Sequence, residues 1–329
     1  MDGPPADDQS RSLVEQIWYQ PETDRVRPAW RVVVPLVVGI GTYFGVSTAI
    51  IAVVGPTIYL PVDTATSALL LGSQLVAGVG AALAVVGLAA RLDDRPISVD
   101  GLVPSTPWLR DLGGGLSIGI VATVCMVAVP VTAGETTMTV DPSGVGVDST
   151  ATGAVVLVGL VGSLVAAVAF QALLFLRVVI TNVAEALGSR AVDPPQAVGL
   201  AVVASAVCSG GFELLAGGFV RGPGAAVLGV LVGLYYAVAY VLTGRLGLPI
   251  GLHLGGTIAL GSLYRTPIGG FHLPSVVVVD PFGLDQSLAA SVRLQAVRVL
   301  VGGLLLWLWV YAVYGDFSVG KRLSQVDHV

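Results

Sequence analysis

Residues 152–176 read TGAVVLVGLVGSLVAAVAFQALLFL, twenty-five consecutive positions without a charge. At a rise of about 1.5 Å per residue, about 20 apolar residues cross the hydrocarbon layer of a bilayer as a helix. A run of this length has no open-strand or loop reading that would satisfy its backbone polar groups in lipid. Apolar stretches of comparable length lie near 32–54, 66–90, 112–133, 197–220, 223–243, 246–264 and 294–314. The sequence therefore predicts an all-α fold: a polytopic membrane bundle of about eight transmembrane helices. The stretch at 246–264 contains Pro249 and His253 and follows its predecessor after only Gly244 and Arg245. It reads equally as a full span or as a tilted, half-buried helix.

Composition agrees with the run lengths. Of 329 residues, 54% are hydrophobic and 11% charged, whereas a soluble domain carries about 25% charged residues. The abundant Gly, Ala and Val suit close helix packing in lipid. The acidic residues sit in tails and loops rather than in one patch, so the net charge of -5 names no partner, and nothing supports nucleic-acid binding. Cys125 and Cys208 fall inside apolar runs and read as small hydrophobes rather than as a disulfide. The first thirty residues lack an apolar core followed by a cleavage site, so the first helix is expected to be its own anchor.

Arginine and lysine placement sets an expected orientation. With both ends in the cytoplasm, twelve of the sixteen basic residues fall inside and three, Arg221, Arg265 and Arg293, fall outside. This divides the chain into a cytoplasmic segment at 1–31, a helical core at 32–264, an external loop at 265–292, a last helix at 293–316 and a cytoplasmic tail at 317–329. Residues 91–111 form an inside loop. Trp18, Tyr19 and Trp30 before the first span, and Trp307, Trp309, Tyr311 and Tyr314 in the last, read as interfacial anchors.

Ionisable side chains inside spans are costly and mark candidate sites. They are Glu213, His253, Arg298 and, at the end of the fourth span, Arg177. His253 and Thr257 are four apart and share a helix face. His253 reads either as a core histidine bonded to a neighbouring helix or as a ligand or polarising group. Arg177 and Arg298 read as snorkelling or structurally paired cations.

The segments QALLFLRVVITNVAEAL (171–187) and TGRLGLPIGLHLGGT (243–257), together with the 91–111 loop, resemble the CPBP family of intramembrane metallopeptidases, the CAAX-protease and bacteriocin-processing group. The resemblance covers about residues 30–264. It implies three motifs on separate helices around a cavity: E-E-x-x-x-R followed by Gly, F-x-x-x-H, and H-x-x-x-N. Their carboxylate activates a water, and their imidazoles hold a metal or polarise the peptide carbonyl. Aligned without gaps, the glutamates fall on Gln171 and Ala172, the arginine on Leu176 and the glycine on Arg177. The second motif falls on Cys208 and Phe212. The third keeps His253 and has Thr257 in place of asparagine.

Those substitutions bear on activity directly. Gln171 is no base near neutral pH, and Ala172 has no polar side-chain atom. The family implies zinc, for which a catalytic site supplies three protein ligands. Here His253 and, after a one-residue shift, Glu213 are the available donors, so the expectation is a site one ligand short that holds no resident metal. Glu213 is also turned about 100° around its helix from the motif position. The expected function is that of a catalytically degenerate family member that binds or shields a membrane protein or peptide in the lipid bilayer. Two alternatives are an active endopeptidase using Glu213 and His253, and a transporter-like protein built on its intramembrane charges.

Overall fold

The computed structural model describes residues 13–20, 25–54, 64–93, 104–140, 150–190, 192–216, 224–264, 277–279 and 287–315. A short helix α1 (Leu13–Trp18) precedes α2 (Pro28–Val54), α3 (Thr64–Leu92) and α4 (Thr106–Thr132). The strand β1 (Met138–Val140) leads to α5 (Thr150–Gln171), which runs through a π-helical stretch (Ala172–Val179) into α6 (Ile180–Gly188). Then come α7 (Pro194–Ala216), α8 (Gly224–Thr243), α9 (Gly247–Tyr264), β2 (Val277–Val279) and α10 (Leu288–Tyr314). Seven helical segments among the described residues are long and apolar enough to cross a membrane, and α9 is a shorter apolar helix beside them. The chain is a multi-pass, all-α membrane bundle.

The distribution of side-chain sizes explains why lipid is the solvent. Large apolar residues point outward from every quarter: Val37, Leu83, Val158 and Leu300 are each about two-thirds or more exposed. Small residues such as Ala77, Ala81, Ala201 and Ala237 are fully enclosed. Water would not tolerate so continuous an apolar exterior, whereas in lipid, close approach of helices is what drives association. Helices α4 and α9 carry this furthest. A β-carbon on Gly115, Gly251 or Gly255 would lie 2.2 Å from a backbone oxygen of the facing helix, and one on Gly119 2.4 Å. The two helices therefore meet backbone to backbone.

Helix ends follow local chemistry, and two of them, with one pair of loops, depart from the sequence reading. The loop at 91–111 ends early, because Ser105 accepts a hydrogen bond from the Trp108 N–H at 3.3 Å and Pro107 sits in the first turn, so α4 starts at Thr106. The helix of the fourth span does not end at Arg177 but runs on to Gly188, and Arg177 donates to the Tyr240 hydroxyl of α8 at 3.5 Å. The outside loops are not featureless either: β1 pairs antiparallel with β2, Met138 opposite Val279. Val279 is fully buried against Met126 and Val127, with Leu260 and Leu294 beside them, and closes that end of the bundle.

Polar clusters tie the opposite end. Arg31, 1% exposed, donates to Asp93 of the α3 terminus at 3.1 Å, to Glu185 of α6 at 3.0 and 3.1 Å, and to the Val26 carbonyl at 2.9 Å. Asp111 of α4 is fully buried, accepts from the Tyr314 hydroxyl at 2.5 Å and lies 3.7 Å from Arg245 in the α8–α9 turn. The tail at 317–329, loop residues 94–103, and residues 265–276 and 280–286 of the external loop lie outside the described residues.

Candidate functional site

The middle of the bundle holds a small cavity with an open mouth. Each wall comes from a different element. The end of α5 and the π-helical stretch supply Gln171, Ala172, Phe175 and Leu176; α7 supplies Ser205 and Ser209; α8 supplies Gly233 and Tyr236; α9 supplies Pro249 and His253. Pro249 stands in the first turn of α9, where its missing N–H costs nothing.

The π-helical stretch is the local device that shapes one wall. Its wider i→i+5 turns open the hydrogen-bond ladder, and such turns recur at functional sites. Here Ser205 donates to the Phe175 carbonyl at 2.8 Å, a side-chain bond from α7 onto the π-helical backbone. Ser205 is itself 1% exposed. The bond fixes α7 against the helix that presents Gln171.

His253 stacks on Tyr236, ring centroids 4.8 Å apart and planes 22° from parallel. Among the described residues its ring nitrogens have no hydrogen-bond partner, so of its two sequence readings the bonded core histidine is not what is found. The Tyr236 hydroxyl accepts from Arg298 of α10 at 3.2 Å. Arg298 neither snorkels nor forms an ion pair: it is 4% exposed, its Nε is unbonded, and among the described residues no carboxylate contacts it.

The residues singled out from sequence thus divide. Gln171 and His253, eighty-two positions apart, line one cavity. Thr257, one turn beyond His253, is not part of its lining, and neither is Glu213. Glu213 lies along α8 instead, where a β-carbon on Gly229 would come within 2.8 Å of its Cγ, and it is within electrostatic reach of Tyr43 and Tyr236. Phe212, where the second motif's histidine falls, is 3% exposed among Phe170, Phe175, Tyr43 and Phe44, with ring centroids 5.5 to 6.1 Å away. That position is a packing centre.

No protein-family profile, curated protein or solved structure matches this chain. What the cavity can do must be read from its own donors.

Those donors do not fit zinc. A catalytic zinc takes three protein ligands from histidine, cysteine or carboxylate side chains, and the lining holds one such residue, His253, beside an amide, two hydroxyls and a phenol. Among the described residues no group of three or more His, Cys, Asp or Glu is placed to hold a metal. The lining also contains no carboxylate to act as general base. It does offer hydrogen-bonding groups on an otherwise apolar wall, the make-up of a small binding pocket.

Sequence reasoning missed Ser205, Ser209 and Tyr236. Serine and tyrosine are ordinary inside membrane helices, and no spacing rule sets these apart. Arg298 was visible as a charge within a span, but nothing in the sequence linked it to Tyr236.

Proposed function

We propose that this chain is a catalytically degenerate relative of the CPBP intramembrane peptidases, using the central cavity to bind or shield a segment of a membrane protein or peptide without cleaving it. The observation that supports this reading is convergence. The positions aligned with the first and third motifs, Gln171 with Ala172 and His253, come from helices distant in sequence and share one cavity. A chance alignment of two apolar segments gives no reason for those positions to meet. The missing chemistry is equally specific: amide and methyl replace the carboxylates, and a buried phenylalanine replaces a histidine. The endopeptidase alternative loses its support because Glu213 is absent from the lining.

The accompanying orientation places both termini in the cytoplasm of a cell membrane. It rests on the distribution of basic residues, twelve inside against three outside. It takes α9, an apolar helix shorter than the seven long ones, as the eighth crossing, which would put both ends on one side.

A photo-crosslinking residue at position 209, on the cavity wall, and another at Leu300, which is 73% exposed to lipid, test the reading in intact membranes. Peptide or protein adducts are expected at 209 and lipid adducts at 300. Lipid adducts alone at both positions would sink the binding role. In the same cells, epitope-tagged single-span membrane reporters are expected to remain intact. Cleavage that disappears in Glu213→Gln would replace this account with the peptidase one.

A further inference from the structure

An arginine in the middle of a membrane helix is normally paired, or reaches an interface. Arg298 does neither. It is 4% exposed near the centre of α10, and among the described residues it makes one hydrogen bond, to the Tyr236 hydroxyl, and leaves Nε unbonded. Glu213 is within electrostatic reach of the same Tyr236 but lies outside the cavity lining. The fold nevertheless makes room for this cation. A β-carbon on Gly256 of α9 would lie 1.8 Å from an Arg298 Nη, so the guanidinium rests on bare backbone.

Tyr236 connects this charge to the cavity. Its oxygen accepts from Arg298, so its own hydrogen is left to donate elsewhere, and among the described residues it has no acceptor. Accepting from a cation strengthens a hydroxyl as a donor. Tyr236 is 8% exposed and lines the cavity beside His253, whose ring it stacks upon. In surroundings of low dielectric the field of a guanidinium is weakly screened, and among the described residues no acidic residue lines the cavity.

We propose that the cavity is a binding site for a carboxylate group, with the Tyr236 hydroxyl as the donor that reaches it and Arg298 as the positioning residue that supplies the countercharge. The ligand is either a lipid-borne carboxylate, such as that of a fatty acid, or a small free carboxylate. The site does not depend on the kinship proposed above: carboxylate binding without peptide adducts at position 209 would support the one and remove the other.

Thermal melting of the purified, detergent-solubilised full chain with oleate, methyl oleate and acetate tests this. A ligand that binds the folded state raises the melting temperature by mass action. Oleate or acetate is expected to raise it and methyl oleate, which has the same chain without the charge, to leave it unchanged. A shift with oleate alone assigns a lipid-borne ligand; a shift with acetate assigns a small one. Tyr236→Phe is expected to weaken the apparent affinity about tenfold, and Arg298→Gln to abolish the shift. Removal of a buried charge that has no carboxylate contact among the described residues is expected to leave ligand-free Arg298→Gln melting no lower than wild type. The proposal is overturned if neither carboxylate shifts the wild type, if methyl oleate acts as oleate does, or if the shift survives in Arg298→Gln. Should Arg298→Gln not fold, Tyr236→Phe decides, and an unchanged affinity there overturns it.

Discussion

Leucine in place of Gly251 is expected to eliminate the folded protein. A β-carbon at that position would stand 2.2 Å from the Leu112 carbonyl and 2.7 Å from the Leu116 nitrogen, both backbone atoms of α4 that no rotamer change can move. Relief requires separating α4 from α9, which also opens the contacts at Gly115, Gly119 and Gly255. Overpacking a closed core commonly costs about 1–3 kcal/mol even where side chains can yield, against a total stability of about 5–15 kcal/mol. Here backbone opposes backbone, so the cost lies above that range. Gly303 of α10 is the internal control, since a β-carbon there meets nothing within 4 Å. Alanine at 303 is expected to be neutral, or stabilising by up to about 1 kcal/mol through helix propensity. Size-exclusion profiles and melting curves in detergent check both. A monodisperse Gly251→Leu variant melting like wild type would contradict the close packing of α4 on α9. Since α9 supplies His253 and Pro249 to the cavity, any milder variant that folds should distort that wall first.

The second large effect is expected at Arg31. Truncation to alanine removes the bonds to Asp93, Glu185 and the Val26 carbonyl together. Arg25 remains, 3.3 Å from Glu185 and bonded to the Asp93 carbonyl oxygen, and offsets part of the exposed negative charge. Breaking a buried pair by deleting one partner costs about 3–5 kcal/mol. Asp93 and Glu185 retain 18% and 28% side-chain exposure, so water reaches them and the loss should fall nearer ~3 kcal/mol. The partners are one network, so Glu185→Gln in the Arg31→Ala background should destabilise by less than the sum of the single changes. Arg31→Lys keeps the charge without the fork geometry and should recover part of the loss. Strict additivity in melting experiments would mean that α2, α3 and α6 are held together by other means.

The two regions differ in how far the sequence revealed them. Spans were legible because lipid imposes a length and a composition, and 152–176 meets both without ambiguity. What lipid does not impose was invisible. Arg177 reads as the end of a span because a charge is costly in hydrocarbon, but the helix itself runs on to Gly188, since a charge that ends a span need not end a helix. A π-helical stretch leaves no residue pattern, since its hydrogen-bond ladder is set by packing against α7 and Ser205. The glycines of α4 and α9 were visible only as composition, while their pairing depends on which faces meet. Asp111 was placed in a loop by its charge, and it is buried because Tyr314 and Arg245 arrive from the far end of the chain.

For the candidate site, Gln171 was selected by motif position and His253 both by motif position and as an ionisable group inside a span, and the two share the cavity. Glu213, selected on the second ground, lies outside its lining. Thr257 shows the limit of the four-residue rule. Positions one turn apart share a face but not a depth, and the lining stops at His253.

Zinc content of the purified, detergent-solubilised protein, measured beside a His253→Ala variant, tests most directly whether this cavity binds without hydrolysing. The lining residues predict far less than one zinc per chain, with the same value in the variant. One equivalent of zinc in the wild type, lost on removal of His253, would contradict the account and mean that a complete metal site assembles around that histidine.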